Sequence, residues 1–164
     1  MKKLLLLLIS ISSFAFTGAH VGSSLMMATL DTGYGDVKMN IPSINGSFSG
    51  REGNFGWEAK VGLGLAKADD KDEDGDEWTL ELDRFIQLKG KYFFQENFYG
   101  ALVWTDAAGE ACLNLSGTTC GDLDDSDVGF HVGYLVNDKF ELYGGQIFSV
   151  DGDEIFEIGF SYSF

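Results

Sequence analysis

The 164-residue sequence predicts an all-β protein, an eight-stranded antiparallel up-and-down barrel that crosses a membrane with its strands. Three observations carry that reading. Apolar and polar side chains alternate over segments as long as twelve residues, as in residues 55 to 66, which is longer than the five or six usual in soluble sheets. About 9 to 11 residues is the length a tilted strand needs to cross a bilayer. The connections between segments also alternate between tight and long, and no amphipathic helical pattern of useful length interrupts the strands.

The N-terminus stands apart from this pattern. Lys2 and Lys3 precede an apolar run from Leu4 to Phe16, with small residues Thr17 and Ala19 placed for cleavage before His20. This is the pattern of a secretory signal peptide over residues 1–19, leaving a single barrel domain over 20–164. The run is shorter than the roughly 20 residues of a membrane-spanning helix, and no cysteine follows it to take a lipid anchor.

The first segment, residues 20–30, is apolar enough for a strand, but its period is ambiguous. Residues 37–49 alternate on both sides of Pro42, with Val37, Met39 and Ile41 on odd positions and Ile44 and Phe48 on even ones. A bulge at Pro42 would explain the switch, because proline donates no ladder hydrogen bond. The third segment sets Phe55, Trp57, Ala59, Val61, Leu63 and Leu65 against Gly56, Glu58, Lys60, Gly62 and Gly64. In the fourth, Ile86, Leu88, Tyr92 and Phe94 alternate with Gln87, Lys89 and Lys91. In the fifth, Phe98, Leu102 and Trp104 oppose Tyr99, Ala101 and Val103. The sixth puts Val128, Phe130, Val132, Tyr134 and Val136 against Gly129, His131, Gly133 and Leu135. The seventh sets Phe140, Leu142 and Phe148 against Lys139, Glu141, Tyr143 and Gly145. The eighth, "EIFEIGFSYSF", gives one face to Phe156, Ile158, Phe160, Tyr162 and Phe164, and Phe164 is the last residue.

"QEN" and "VNDK" make tight turns, whereas "ADDKDEDGDE" and "TDAAGEACLNLSGTTCGDLDDS" read as long acidic loops. Asp and Glu outnumber Lys and Arg by 26 to 11, for a net charge of −15, which argues against a nucleic-acid partner because phosphate contacts need a basic surface. Cys112 and Cys120 are the two cysteines. In an exported chain they are expected to close a small disulfide loop, and no further ligand near them suggests a metal.

With these segments in place, the chain resembles the small eight-stranded outer-membrane β-barrels of Gram-negative bacteria, the OmpX and OmpA transmembrane-domain type. The resemblance covers residues 20 to 164, and its most specific part is the closing strand. In that group a terminal Phe preceded by alternating apolar residues is the insertion signal read by the barrel assembly machinery. Phe156, Ile158, Phe160, Tyr162 and Phe164 match it. The resemblance implies periplasmic termini, long loops outside, a monomer, and outer-membrane lipid and lipopolysaccharide as surroundings. Trp57, Tyr92, Trp104 and Tyr162 suit the aromatic girdles of such barrels. Arg84 falls on the lipid-facing parity, where a mid-bilayer charge costs about 2–4 kcal/mol. Either a strand extension over residues 78–84 above the membrane or a local bulge removes the conflict.

The inward parity collects Glu58, Lys60, Lys89, Lys91, His131, Lys139, Glu141 and Glu157, with Gln87, Tyr99 and Tyr143. Their charges nearly balance, so they are expected to form an ion-pair network that plugs a barrel too narrow for a wide channel. Some small barrels modify lipid A with a histidine and a serine, but two residues beyond His131 on the same face stands Gly133. "DKDEDGDEWTLE" fits the spacing of a calcium loop, with Asp70, Asp72, Asp74, Asp76 and Glu81 as ligands and Gly75 at the turn. It lacks flanking helices, and Glu77 stands where such loops carry an aliphatic residue. Residues 121–127 and 151–154 add further acidic groups, for which diffuse divalent-cation binding is the expectation. No catalytic group or resident cofactor is assigned. The favoured reading is a sealed envelope barrel presenting acidic loops for cation, lipopolysaccharide or partner contact. A narrow porin-like channel for ions or small solutes is the alternative, and a lipid A-modifying enzyme the third.

Overall fold

The computed structural model describes residues 16–31, 36–71, 76–114, 118–148 and 154–164. Among the described residues nine strands follow one another, β1 (Phe16–Asp31), β2 (Asp36–Glu52), β3 (Phe55–Gly64), β4 (Ala68–Lys71), β5 (Glu77–Phe93), β6 (Phe98–Asn114), β7 (Thr118–Asn137), β8 (Phe140–Phe148) and β9 (Glu154–Ser163). Each pairs antiparallel with its neighbours, and β1 pairs with β9 from His20↔Ser163 to Thr29↔Glu154, which closes the sheet. Closure leaves no open edge within the membrane.

Eight strands form the ring, because β4 continues β3. Gly62 of β3 faces Phe85 of β5 and Ala68 of β4 faces Leu80, so both lie along the same side of β5 with a one-residue slip between them. The break has a backbone cause. β2 carries Pro42 at this level, and the Pro42 carbonyl accepts a hydrogen bond from the Leu65 amide at 2.8 Å just where β3 stops.

At the termini end the turns are tight. Gly53, at φ 59°, makes the two-residue turn between Glu52 and Phe55, a left-handed conformation that glycine adopts without a Cβ penalty. The Asn137 carboxamide oxygen accepts hydrogen bonds from the amides of Lys139 and Phe140, both at 2.9 Å, and so starts β8. The outward residues over this half form an apolar belt. Val61, Leu88, Leu102, Phe130, Phe148 and Ile158 are all exposed, which on a closed barrel is the signature of a lipid-facing surface. Phe156, Phe160, Tyr162 and Phe164 lie on this belt.

Two expectations need correction. Residues 36–52 run without any bulge, since β1–β2 register is continuous from Gly18↔Ser49 to Asp31↔Asp36. The odd positions Val37, Met39, Ile41, Ser43, Asn45 and Ser47 are all buried, so what changes at Pro42 is the character of the interior and not the parity of the strand. Residues 105–126 are mostly strand and not a loop. β6 and β7 stay paired out to Asn114↔Thr118, a β-ribbon that projects past the belt. Within it Cys112 and Cys120 are cross-strand partners joined by a disulfide. Arg84 lies on the extension of β5 beside a register shift between Leu82 and Arg84 that leaves Asp83 out of the ladder, so extension and bulge occur together. Its guanidinium pairs with Asp106 at 3.5 Å, and Ser126 donates to the same carboxylate at 3.0 Å. These polar groups directly follow the last outward apolar residues Ile86, Trp104 and Val128 and mark the distal edge of the belt.

Candidate functional site, a charged plug beneath an apolar core

Alternation along β3, β5, β7, β8 and β9 delivers charged side chains to one level of the interior. Glu58, Lys60, Lys89, Lys91, His131, Glu141 and Glu157 are all buried there. Three carboxylates, Glu58, Glu141 and Glu157, face three ammonium groups, Lys60, Lys89 and Lys91. Lys91 bridges Glu58 at 2.5 Å and Glu141 at 3.0 Å. Lys89 lies 3.5 Å from Glu58, and Lys60 lies 3.6 Å from Glu157. Neutral side chains complete the lattice. Gln87 donates to Glu157 at 2.7 Å, Lys60 donates to the Tyr143 hydroxyl at 2.7 Å, and the Tyr99 hydroxyl donates to Glu141. Desolvating this many charges is tolerable only because each meets an opposite one, so removing one member leaves an uncompensated partner.

The two tyrosines fit because glycines make room. A Cβ on Gly133 would lie 2.1 Å from the Tyr99 ring, and one on Gly159 would lie 2.4 Å from the Tyr143 hydroxyl. His131 stacks on Tyr143 with ring centroids 5.7 Å apart, and its Nε2 is 3.5 Å from Glu157. Neither ring nitrogen makes a hydrogen bond. The dyad that nucleophilic catalysis requires is therefore not assembled at His131. Lys139 must be removed from the interior set. It sits exposed in the turn before β8, outside the alternating part of the strand, with its ammonium 5.9 Å from the Tyr162 ring centroid.

Toward the termini the mouth is capped. The Arg51 guanidinium lies 3.6 Å from the Phe93 ring centroid and donates to the carbonyls of Gly53 and Glu96, each at 2.9 Å. His20 Nε2 shares a 2.7 Å hydrogen bond with Ser49. Above the charged level the interior turns apolar. Met26, Val37, Met39, Ile41, Ala68, Leu80 and Phe85 form one buried cluster, with Leu123 and Ile155 packed against it. Phe85 lies over Gly62, where a Cβ would come within 2.2 Å of its ring.

Sequence reasoning placed the charged level and missed the distal core and the Arg51 cap. The signal for the core was the unbroken period of two in residues 37–47, which the proline appeared to divide.

At the distal end the described part of the acidic motif is a hairpin. Asp70 faces Trp78, so Glu81 lies three residues further along β5, about 10 Å away at strand rise. Asp70 accepts the backbone amides of Lys38 at 3.0 Å and Lys71 at 2.8 Å, while Glu81 pairs with Lys67 at 2.5 Å. One ion held by both Asp70 and Glu81 would require this hairpin to open. Asp72, Asp74 and Gly75 lie outside the described residues, and Asp76 precedes β5. The Glu81 hydrogen bond raises the pKa of Lys67, so on the lysine side this contact persists through neutral pH and is lost as pH rises past the lysine range. Asp122, Asp124 and Asp125 stand exposed on the β7 side of the ribbon.

No protein-family model matches this chain, and neither does any curated protein. Solved structures do. Ail, the attachment invasion locus protein of Yersinia pestis, superposes with a TM-score of 0.61 at 12% identity, over 90% of this chain and 97% of Ail. Neisserial surface protein A superposes with a TM-score of 0.57 at 16% identity, over 92% of this chain and 99% of that one. Ail in complex with the heparin analogue sucrose octasulfate gives a TM-score of 0.53 at 11% identity, over 90% and 97% of the two chains. At such identities the likeness is one of fold, and the closed ring, apolar belt and polar interior agree with it: this chain is built as a small outer-membrane β-barrel.

Proposed function

We propose that the protein is an integral component of a Gram-negative outer membrane whose barrel is sealed and whose acidic hairpins face outward as a contact surface. The observation that carries this is the Glu58–Lys89–Lys91–Glu141 and Lys60–Glu157 lattice, which spans the lumen at one level with opposite charges in contact. Eight strands leave an interior narrow enough for side chains to fill, which supports this reading. The distal ribbons carry Asp69, Glu77, Glu110, Asp122 and Asp124. Such a surface repels polyanions and favours divalent cations, cation-bridged lipopolysaccharide or a basic partner. Ail has been solved with the heparin analogue sucrose octasulfate, and an acidic surface such as this one would repel a ligand of that kind.

The test is single-channel recording in a planar bilayer with refolded protein. A sealed barrel gives no steady conductance. A stable, reproducible step would instead establish the narrow channel, for which the buried Asn45 side chain and Lys89 ammonium, both without hydrogen-bond partners, mark a path.

A further inference from the structure

The belt of lipid-facing residues has several recesses, of which the one on β3, β5, β6 and β7 is the most voluminous among the described residues. Across β3, β5, β6 and β7 the outward positions run Trp57, Gly90, Leu102, Phe130 in one row and Phe55, Tyr92, Gly100, Val132 in the next toward the termini. Gly90 and Gly100 therefore stand diagonally next to each other and remove two side chains from the surface. What remains is an open groove of about 930 Å³, floored by Gly90 and walled by Phe55, Tyr92 and Leu102, with the Phe94 ring over Gly100, where a Cβ would come within 3.1 Å of it. Leu102 is 77% exposed, since its β5 neighbour has no side chain to cover it. A Cβ at Gly90 would meet nothing within 4 Å, so no protein atom fills the space. At the termini-end rim of the groove stands the exposed carboxylate of Glu52.

We propose that this groove is a binding site for one phospholipid bearing a primary-ammonium headgroup, its acyl chain over Gly90 and against the Phe94 ring and its ammonium at Glu52. The proposal rests on the transmembrane reading above. In a membrane the groove is surrounded by hydrocarbon and not by water, and an unfilled recess forfeits the dispersion contacts of its walls. An acyl chain restores them, whereas a rigid protein face would need a matching ridge. The headgroup follows from charge, because Glu52 attracts an ammonium and repels a headgroup that is only anionic.

Native mass spectrometry of the refolded full chain tests this, with equimolar phosphatidylethanolamine and phosphatidylglycerol of identical acyl chains. The wild type should retain one lipid and favour the ethanolamine form about two- to fivefold, as expected of one partly exposed charge contact. Gly90→Leu, which adds bulk where the structure has open space, should lose retention of both lipids. Glu52→Gln should keep a lipid and lose the discrimination. Leu102→Ala, which removes a wall without touching the interior, should weaken retention and serves if Gly90→Leu fails to fold. Equal retention in wild type and the filled groove, no headgroup preference in the wild type, or a dimer that Gly90→Leu dissolves would each overturn the site. Heat-modifiable gel mobility and insertion into vesicles are scored on the same samples. A wild type that does not insert refutes the transmembrane reading itself, whereas one that inserts but retains no lipid refutes only the groove.

Discussion

The barrel has two halves with opposite polarity. Near the termini the outward residues are Val61, Leu88, Leu102 and Phe130, and the inward ones are Glu58, Lys60, Lys89 and Glu157. In the distal half the inward residues are Val37, Met39, Ile41 and Leu80, and the outward ones include Lys38, Asn40, Asp124 and Ser126. The same strands carry both patterns, and β2 passes from one to the other within a single unbroken register. The difference teaches what surrounds each half. Where lipid is the solvent, apolar groups cost nothing outside and the lumen is filled by paired charges. Where water is the solvent, the hydrophobic effect puts the apolar groups inside, as in any soluble barrel. Arg84, Asp106 and Ser126 mark the level at which one solvent gives way to the other.

The largest effect should come from breaking the charged half. Glu58→Leu leaves Lys89 and Lys91 facing each other with one compensating carboxylate fewer, and should cost about 3–5 kcal/mol. Urea unfolding in micelles followed by tryptophan fluorescence reads this, and a loss under 1 kcal/mol would mean that water already screens the network. Phe85→Ala breaks the distal half instead. A cavity in the Met26–Ile41–Leu80 cluster should cost about 3 kcal/mol in the same assay while leaving the barrel non-conducting. Conductance in that variant would show that the distal core, and not the ion lattice, seals the lumen.

A smaller change separates the ribbon from both. Replacing Cys112 and Cys120 by serine should destabilise the ribbon locally by about 2 kcal/mol, seen as faster proteolysis beyond residue 108, with the urea midpoint of the barrel unchanged. At the boundary, Arg84→Ala removes an exposed ion pair and should cost less than about 1 kcal/mol, an effect that salt abolishes. Smallest of all is the outcome at the acidic hairpin. Calorimetric calcium titration should give weak heat without saturation, and Asp70→Asn should scale it down slightly, because the hairpin holds Asp70 and Glu81 apart. A saturable site lost in that variant would mean that the hairpin opens for calcium.

The transmembrane half was legible because its signal is local. A period of two with lysine and glutamate on one parity and aromatics on the other identifies both the strand and its two environments, so Glu58, Lys60, Lys89, Lys91, Glu141 and Glu157 could be assigned to one interior residue by residue. Lys139 was misassigned because parity has no meaning once the strand has ended, and Asn137 ends it two residues earlier. Val37, Met39 and Ile41 were misleading for a different reason. An apolar residue in a membrane barrel reads as outward, and only the level of the residue along the barrel axis says whether water or lipid lies outside.

By itself, then, the sequence determined the number of barrel strands, their order, and which residues share a face, since alternation is written into each strand independently. The tertiary structure alone decided which strands extend beyond the membrane, where β3 breaks beside Pro42, which charges meet across the lumen, and that Gly90 and Gly100 fall side by side. Those are matters of register and shear between strands far apart in the chain, and no pattern within one strand encodes the level at which it meets its neighbour.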